Sequence, residues 1–229
     1  MTDYTILPSA SATLCYSIGA DGIAGGLRGV NTKPAVVGAA ANRLGLLVLI
    51  EFRPGGLYPL LRIPQTELLD SGFPFQDIDA GLHRRILGAV AASRGITSLK
   101  ECLDGIFLSR LSDARQNPQL CQAMKHIRAS GGTMGCRRLS GEVFLSEREL
   151  GRIFGQQLGV GVKTFSRIVR INRAVKLLQR SGGTMASVAA GAGFFDQSHF
   201  IRDFHSLCGT TPKAYTERMS IFYNDAYKL

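Results

Sequence analysis

An α+β protein is predicted, mixed in its N-terminal half and all-α in its C-terminal half, and three observations predict it. Apolar runs of strand length, broken by Gly and Pro, are confined to the first half. Apolar residues at helical spacing fill the second half, where Gly-rich breaks separate them. The charge divides at the same place: residues 1–112 carry 10 Lys/Arg against 9 Asp/Glu, and residues 113–229 carry 17 against 8. The formal net charge of +10 therefore lies almost wholly in the second half. A basic part joined to a near-neutral one is the electrostatic footprint of a polyanion-binding module attached to something else.

In the first half, Thr13–Ile18, Ala35–Val37 and Leu46–Phe52 read as strands between turns. The run Leu46 to Ile50 suits a buried strand and is too short to span a membrane. The turn Arg53-Pro54-Gly55-Gly56 follows it. Two readings of that turn stay open: simple strand-ending punctuation, or a cradle in which backbone N–H groups hold an anion. Leu57–Leu61 and Gln65–Leu69 are short helix candidates. From about Ile78 to Leu111 the pattern is helical, with Ile86, Leu87 and Val90 on one face and Leu99, Cys102, Leu103 and Ile106 on another. Asp77 and Asp79 lack a third ligand and read as loop caps rather than an acid/base pair or metal site.

A boundary falls in the polar stretch from Ser112 to Asn117, with Asn117 as a helix N-cap and Pro118 as first helical residue. Two domains follow: 1–112 and 113–229. In the second, helices are expected at about 118–130, 135–142, 146–157, 163–180, 185–191, 196–207 and 212–219. A short helix, a turn and a second helix occur at 135–157 and recur at 185–207, with the long helix between them. That helix spans about 27 Å at ~1.5 Å per residue. Successive major-groove faces of B-DNA lie roughly 34 Å apart, so such a rod can hold two helices in neighbouring grooves.

The second of these units carries the sharper chemistry. Gly193 supplies a turn of positive φ, Phe194 packs beneath it, and Asp196 caps the next helix. Phe200 and Phe204 form that helix's buried stripe, and Gln197, Ser198, Ile201 and Arg202 project from the other side. Gln can pair with adenine and Arg with guanine in the major groove. The string Gly193 to Phe204, continued through Gly209-Thr210-Thr211-Pro212-Lys213-Ala214-Tyr215, resembles the signature of the AraC/XylS family of bacterial transcription regulators. Leu145 to Phe154 resembles the first recognition helix of that family, and Phe165, Arg167, Arg170, Arg173 and Ala174 fit its linker helix. The resemblance covers about residues 118–219.

The resemblance implies a sequence-specific DNA-binding regulator, not an enzyme, that reads two adjacent major grooves. It places base-reading positions on Arg148 and Arg152, with Glu147 nearby, and on Gln197, Ser198 and Arg202. Candidate phosphate contacts are Lys163, Arg167, Arg170, Ser187, His199 and Thr211, with Lys163, Arg167 and Arg170 alternatively solvating the linker helix. Gly151 and Gly155 depart from the pattern and loosen the first recognition helix. Gly161-Val162 stands where the family commonly has Ser-Pro. Double-stranded DNA is the implied partner; a small-molecule effector, RNA polymerase and a second copy of the chain are further candidates.

Residues 1–112 read as a sensor or dimerisation domain. Leu47 to Gly56 looks like a segment from the N-terminal domains of some AraC-type regulators, and Ile6-Leu7-Pro8 with Thr13-Leu14 fits the start of such a domain. The five cysteines are scattered with no CxxC pair, which argues against a zinc knuckle and for reduced, mostly buried thiols in cytoplasm. No metal or cofactor is expected, and the start of the chain lacks the features of a signal peptide. An alkyltransferase fused to a DNA reader needs a reactive Cys in a basic cluster, which Cys15 and Cys102 lack. A nucleoid protein without sequence preference fits poorly with base-facing Arg and Gln.

Overall fold

In the computed structural model, residues 4–37, 46–111, 117–180 and 183–217 are described. Strand β2 (Thr13–Gly19) buries Leu14 and Tyr16 at alternate positions, the period of a half-buried strand. It lies between β3 (Gly22–Arg28) and β5 (Leu46–Glu51), and β6 (Gly72–Pro74) pairs with the far side of β3. The resulting antiparallel sheet has the order β5-β2-β3-β6. A separate antiparallel pair joins β1 (Tyr4–Ile6) to β4 (Ala35–Val37).

Strand β3 was not expected, because its glycines read as turn punctuation. The packing gives them another purpose. A Cβ at Gly25, paired with Tyr16 across the sheet, would come within 2.7 Å of the Tyr16 ring and 2.8 Å of the His83 ring. The two rings stack with centroids 5.7 Å apart, and only glycine leaves room for them. Strand β5 also departs from expectation. It is an edge strand rather than a buried one, and its Leu46, Leu47 and Leu49 are exposed.

Over the sheet lie α1 (Leu57–Leu61), a 3-10 turn at Gln65–Leu68, α2 (Phe75–Ile78), α3 (Ala80–Ala92) and α4 (Ile96–Leu111). Helix α3 buries Leu82, Ile86 and Val90 against Leu14, Tyr16 and Phe75. Asp79 caps α3 by accepting from the Leu82 N–H at 2.9 Å, and it pairs with Arg110 of α4 at 2.7 Å. Leu99, Leu103 and Ile106 of α4 pack on the same core, but Cys102, expected beside them, is exposed.

The second half is helical throughout its described residues: α5 (Pro118–Ala129), α6 (Cys136–Glu142), α7 (Glu147–Leu158), α8 (Val162–Gln179), α9 (Met185–Ala192), α10 (Gln197–Cys208) and α11 (Pro212–Glu217). Asn117 caps α5 through the Leu120 N–H at 3.0 Å, with Pro118 at the first position as the sequence predicts. The core divides along α8. Its first half places Val162, Phe165 and Val169 among Leu120, Ile127, Leu150 and Phe154, and its second half places Ile171, Ala174 and Val175 among Val188, Phe200 and Phe204. The α5–α6 link crosses α8 so closely that a Cβ at Gly132 would lie 2.3 Å from the Ser166 carbonyl.

The two halves meet along α7. Ala10 and Val30 of the first half are buried in the core built by α5, α7 and α8, and Leu69 packs against it. A Cβ at Gly159, which ends α7 at φ +81°, would come within 2.8 Å of the Gln65 carbonyl. Gln156 of α7 donates to the Tyr58 hydroxyl of α1.

Candidate nucleic-acid interface

Each helix-turn-helix unit is built by a short helix, a turn and a capped recognition helix. In the first, Ser146 accepts from the Glu149 N–H at 3.1 Å and starts α7. Leu150, Ile153, Phe154 and Leu158 bury one face of α7. Glu147, Arg148 and Arg152 are exposed on the helix. In the second, Gly193 ends α9 at φ +87°, a conformation that strains any other residue. Asp196 accepts from the His199 N–H at 2.6 Å and starts α10. Phe200, Phe204, Leu207 and Cys208 are buried, while Gln197, Ser198 and Arg202 are exposed. The expected base-reading residues thus lie at solvent-facing positions of two helices, and α8 joins the units.

The turns themselves hold two exposed aromatic rings that sequence reasoning missed. Phe144, 91% exposed, sits in the first turn at φ +56°, and Phe195, 93% exposed, immediately precedes the Asp196 cap. A bulky side chain in the left-handed region is uncommon. Nothing in the sequence pattern distinguishes these rings from the buried Phe194, because all three fall in turns beside apolar runs.

The expected phosphate contacts fall into two groups. Lys163 is exposed at the start of α8, and its charge reaches Cys136. Burial, and then a hydrogen bond to the Glu147 carboxylate, push the Cys136 thiol up, while Lys163 acts the other way. Glu147, Lys163 and Cys136 are therefore neighbours at one end of the first unit. Ser187 and Thr211 are exposed, but their hydroxyls serve helix starts. Ser187 Oγ donates to the Thr184 carbonyl at 2.8 Å, and Thr211 Oγ1 accepts from the Ala214 N–H at 3.2 Å.

Arg167 and Arg170 turn inward, away from the solvating role open to them, and meet Asp203 of α10. Arg167 reaches Asp203 Oδ1 at 2.9 Å, and Arg170 approaches Oδ2 at 3.6 Å. Arg170 also lies over the Phe194 ring at 5.3 Å from its centroid. His199 packs edge-on to Phe194 at 5.3 Å, with Nε2 at 3.8 Å from Asp203 Oδ2. This cluster ties the second recognition helix to the linker helix. Asp203 was not singled out from the sequence. Its position three residues after Phe200, on the packed side of α10, is the signal that identifies a carboxylate facing α8.

Among the described residues, no group of three or more His, Cys, Asp or Glu is placed to hold a metal ion. Among them also, no helix is long and apolar enough to cross a membrane.

Comparison with known proteins places this architecture. A family model described as a helix-turn-helix domain matches residues 139–218, from α6 to the end of α11. The HTH-type transcriptional activator RhaR of Pectobacterium carotovorum subsp. carotovorum (strain PC1) is 30% identical over 120 residues, covering 49% of this chain and 42% of that protein. RhaR of Yersinia pseudotuberculosis serotype O:1b (strain IP 31758) is 35% identical over 74 residues, covering 32% of this chain and 26% of that one. The matches thus span less than half the length of these relatives. A crystal structure of ToxT from Vibrio cholerae aligns over 96% of this chain and 98% of its own, with a TM-score of 0.52 at 11% identity, a likeness of fold alone. Residues 139–218 thus match a helix-turn-helix domain, and about half of the chain is similar to part of the HTH-type transcriptional activators RhaR.

Proposed function

We propose that this chain is a sequence-specific DNA-binding transcription regulator that lays α7 and α10 into adjacent major grooves of one duplex. The observation that carries the reading is the pairing of two capped recognition helices, each with its apolar face buried and its candidate base-reading side chains exposed, on the two halves of α8. A rod of 18 residues spans about 27 Å, a length suited to bridging neighbouring groove faces. Arg148, Arg152, Gln197, Ser198 and Arg202 read base edges, with Glu147 beside them. Lys163 contacts phosphate, as do the helix starts at Ser187 and Thr211 and, from the edge of its cluster, His199. Arg167 and Arg170 act by holding α10 through Asp203. Residues 1–112 form the controlling domain, packed on the first reader through Tyr58, Gln65 and Val30. RNA polymerase and a second copy of the chain are the macromolecular partners proposed with this role, and the cytoplasm is its proposed compartment.

Selection of bound duplexes from a random pool, followed by titration of variants, tests the proposal. Arg202→Ala is expected to relax preference at one or two base pairs, a guanine contact being worth about 1–3 kcal/mol of discrimination. Lys163→Ala is expected to weaken all duplexes alike. Failure to enrich any sequence refutes specific recognition.

A further inference from the structure

Among the described residues, the two most exposed large apolar side chains are Phe144, at 91%, and Phe195, at 93%, and each lies in the turn that leads into a recognition helix. The packing of the second turn does not account for Phe195. The aromatic side chain which that turn needs is the neighbouring Phe194. It is buried, its ring lies 5.2 Å from that of Phe200 between centroids, and the Arg170 guanidinium lies over it. Covering a phenyl ring is favourable, and folding leaves the Phe195 ring uncovered. Single exposed apolar residues are ordinary on a protein surface; the surroundings set this one apart.

Phe195 opens an unbroken exposed run, Phe195-Asp196-Gln197-Ser198, that enters α10. Asp196 serves as the cap, accepting from the His199 N–H. The run therefore offers a partner one apolar ring beside an amide and a hydroxyl, with Arg202 exposed about a turn further on. The half of the chain that carries it holds 17 Lys/Arg against 8 Asp/Glu, which favours a polyanion as the surface that covers the ring. A helix-turn-helix sets the N-terminal residues of its second helix against base edges. The major groove presents hydrogen-bond donors and acceptors there, and its apolar group is the C5 methyl of thymine, which Phe is suited to contact.

We propose that Phe195 is a specificity-determining residue whose ring covers a thymine C5 methyl beside the base pairs that α10 reads. The inference rests on the placement of α10 in the major groove given above, and adds to it a preference that the hydrogen-bonding side chains do not supply. Thymine and uracil differ by that methyl alone, so the contact can be probed without altering a hydrogen bond.

The duplex enriched from a random pool by the full chain is resynthesised with each thymine replaced in turn by deoxyuridine, and binding is titrated by fluorescence anisotropy. In the half of the site that Arg202→Ala relaxes, removal of one methyl is expected to weaken binding about fourfold, the worth of covering one carbon of that size. In Phe195→Ala the same replacement is expected to change nothing, with the melting temperature of the chain unaltered because the ring is exposed. Phe195→Leu is expected to keep part of the penalty. Phe144→Ala, which removes an equally exposed ring from the other turn, is expected to keep all of it. The absence of any thymine whose methyl matters, a penalty that survives in Phe195→Ala, or its loss in Phe144→Ala overturns the assignment and leaves the reading of α10 as a groove reader standing. Failure to enrich any duplex overturns both. A Phe195→Ala chain that keeps the thymine penalty but loses self-association in sedimentation assigns the ring to a second copy of the chain, and overturns the proposal.

Discussion

Gln156 of α7 donates from Nε2 to the Tyr58 hydroxyl of α1 at 3.0 Å. Its Oε1 accepts from Arg152 Nη1 at 3.3 Å, one helical turn earlier. One amide thus joins the first half of the chain to an arginine on the exposed face of the first recognition helix. With both ends of the amide engaged, Arg152 is held along its helix instead of sweeping freely through solvent.

Tyr58→Phe removes the hydroxyl and leaves the ring. It is expected to lower stability by about 0.5–1.5 kcal/mol, the net worth of one hydrogen bond, in equilibrium denaturation. On duplex DNA its effect should depend on Arg152: combined with Arg152→Ala, the two losses should not add. Additive losses in a double-mutant titration would separate the Tyr58 contact from Arg152.

Asp203→Asn keeps the shape of the side chain and removes the charge that gathers Arg167 and Arg170. The Asp203 side chain is only 15% exposed, so its pairs are screened less than surface ones. A loss of about 1.5–3 kcal/mol is expected in thermal or denaturant unfolding, in the range of hydrogen bonds to charged groups. Arg202→Ala, with its side chain on the exposed face, should leave stability within about 0.5 kcal/mol. Equal destabilisation by the two variants would contradict this division of α10 into a structural and an exposed face.

Gly151→Ala should stabilise the chain. Gly151 lies inside α7, and a Cβ there would meet nothing within 4 Å. The substitution removes the entropic cost of a mid-helix glycine, about 0.5–1 kcal/mol, with no clash to offset it. A fall in the denaturation midpoint would show that the backbone at this position is needed as glycine.

Cysteine chemistry and pH dependence follow from burial. Cys102 is exposed and should react first with a thiol reagent at neutral pH, with Cys208 last. Burial pushes the Cys208 thiol from 9.0 up to about 12. An unfolded chain loses that proton more readily than the folded one, so this group's contribution falls as pH rises from 9.0 toward about 12. Stability measured across that window should decline, less steeply in Cys208→Ala. A rise through the same window would reverse the sign and refute the assignment.

The sequence by itself determined the helical half. Its helices repeat at 3.6-residue spacing, and their ends carry local signals: Asn117-Pro118, Ser146, Gly159, Gly193, Asp196 and Gly209 each act through bonds or backbone angles within a few residues of themselves. The exposed positions of Arg148, Arg152, Gln197, Ser198 and Arg202 follow from the same periodicity, because the opposite face must bury Leu150, Phe154, Phe200 and Phe204.

Tertiary structure decided what depends on partners distant in the chain. Strand β3 is a strand because Tyr16 and His83 stack over Gly25, which no local pattern of glycines reveals. Strand β5 is an exposed edge because its pairing in the sheet ends with β2, so an apolar run that reads as buried is not. Arg167 and Arg170 leave the solvent because Asp203, more than 30 residues later, meets them across a helix crossing. The Tyr58–Gln156–Arg152 chain exists only where the two halves meet. Capping and periodicity are short-range effects that one stretch of sequence specifies alone, whereas an ion pair or an edge requires the chain to return upon itself.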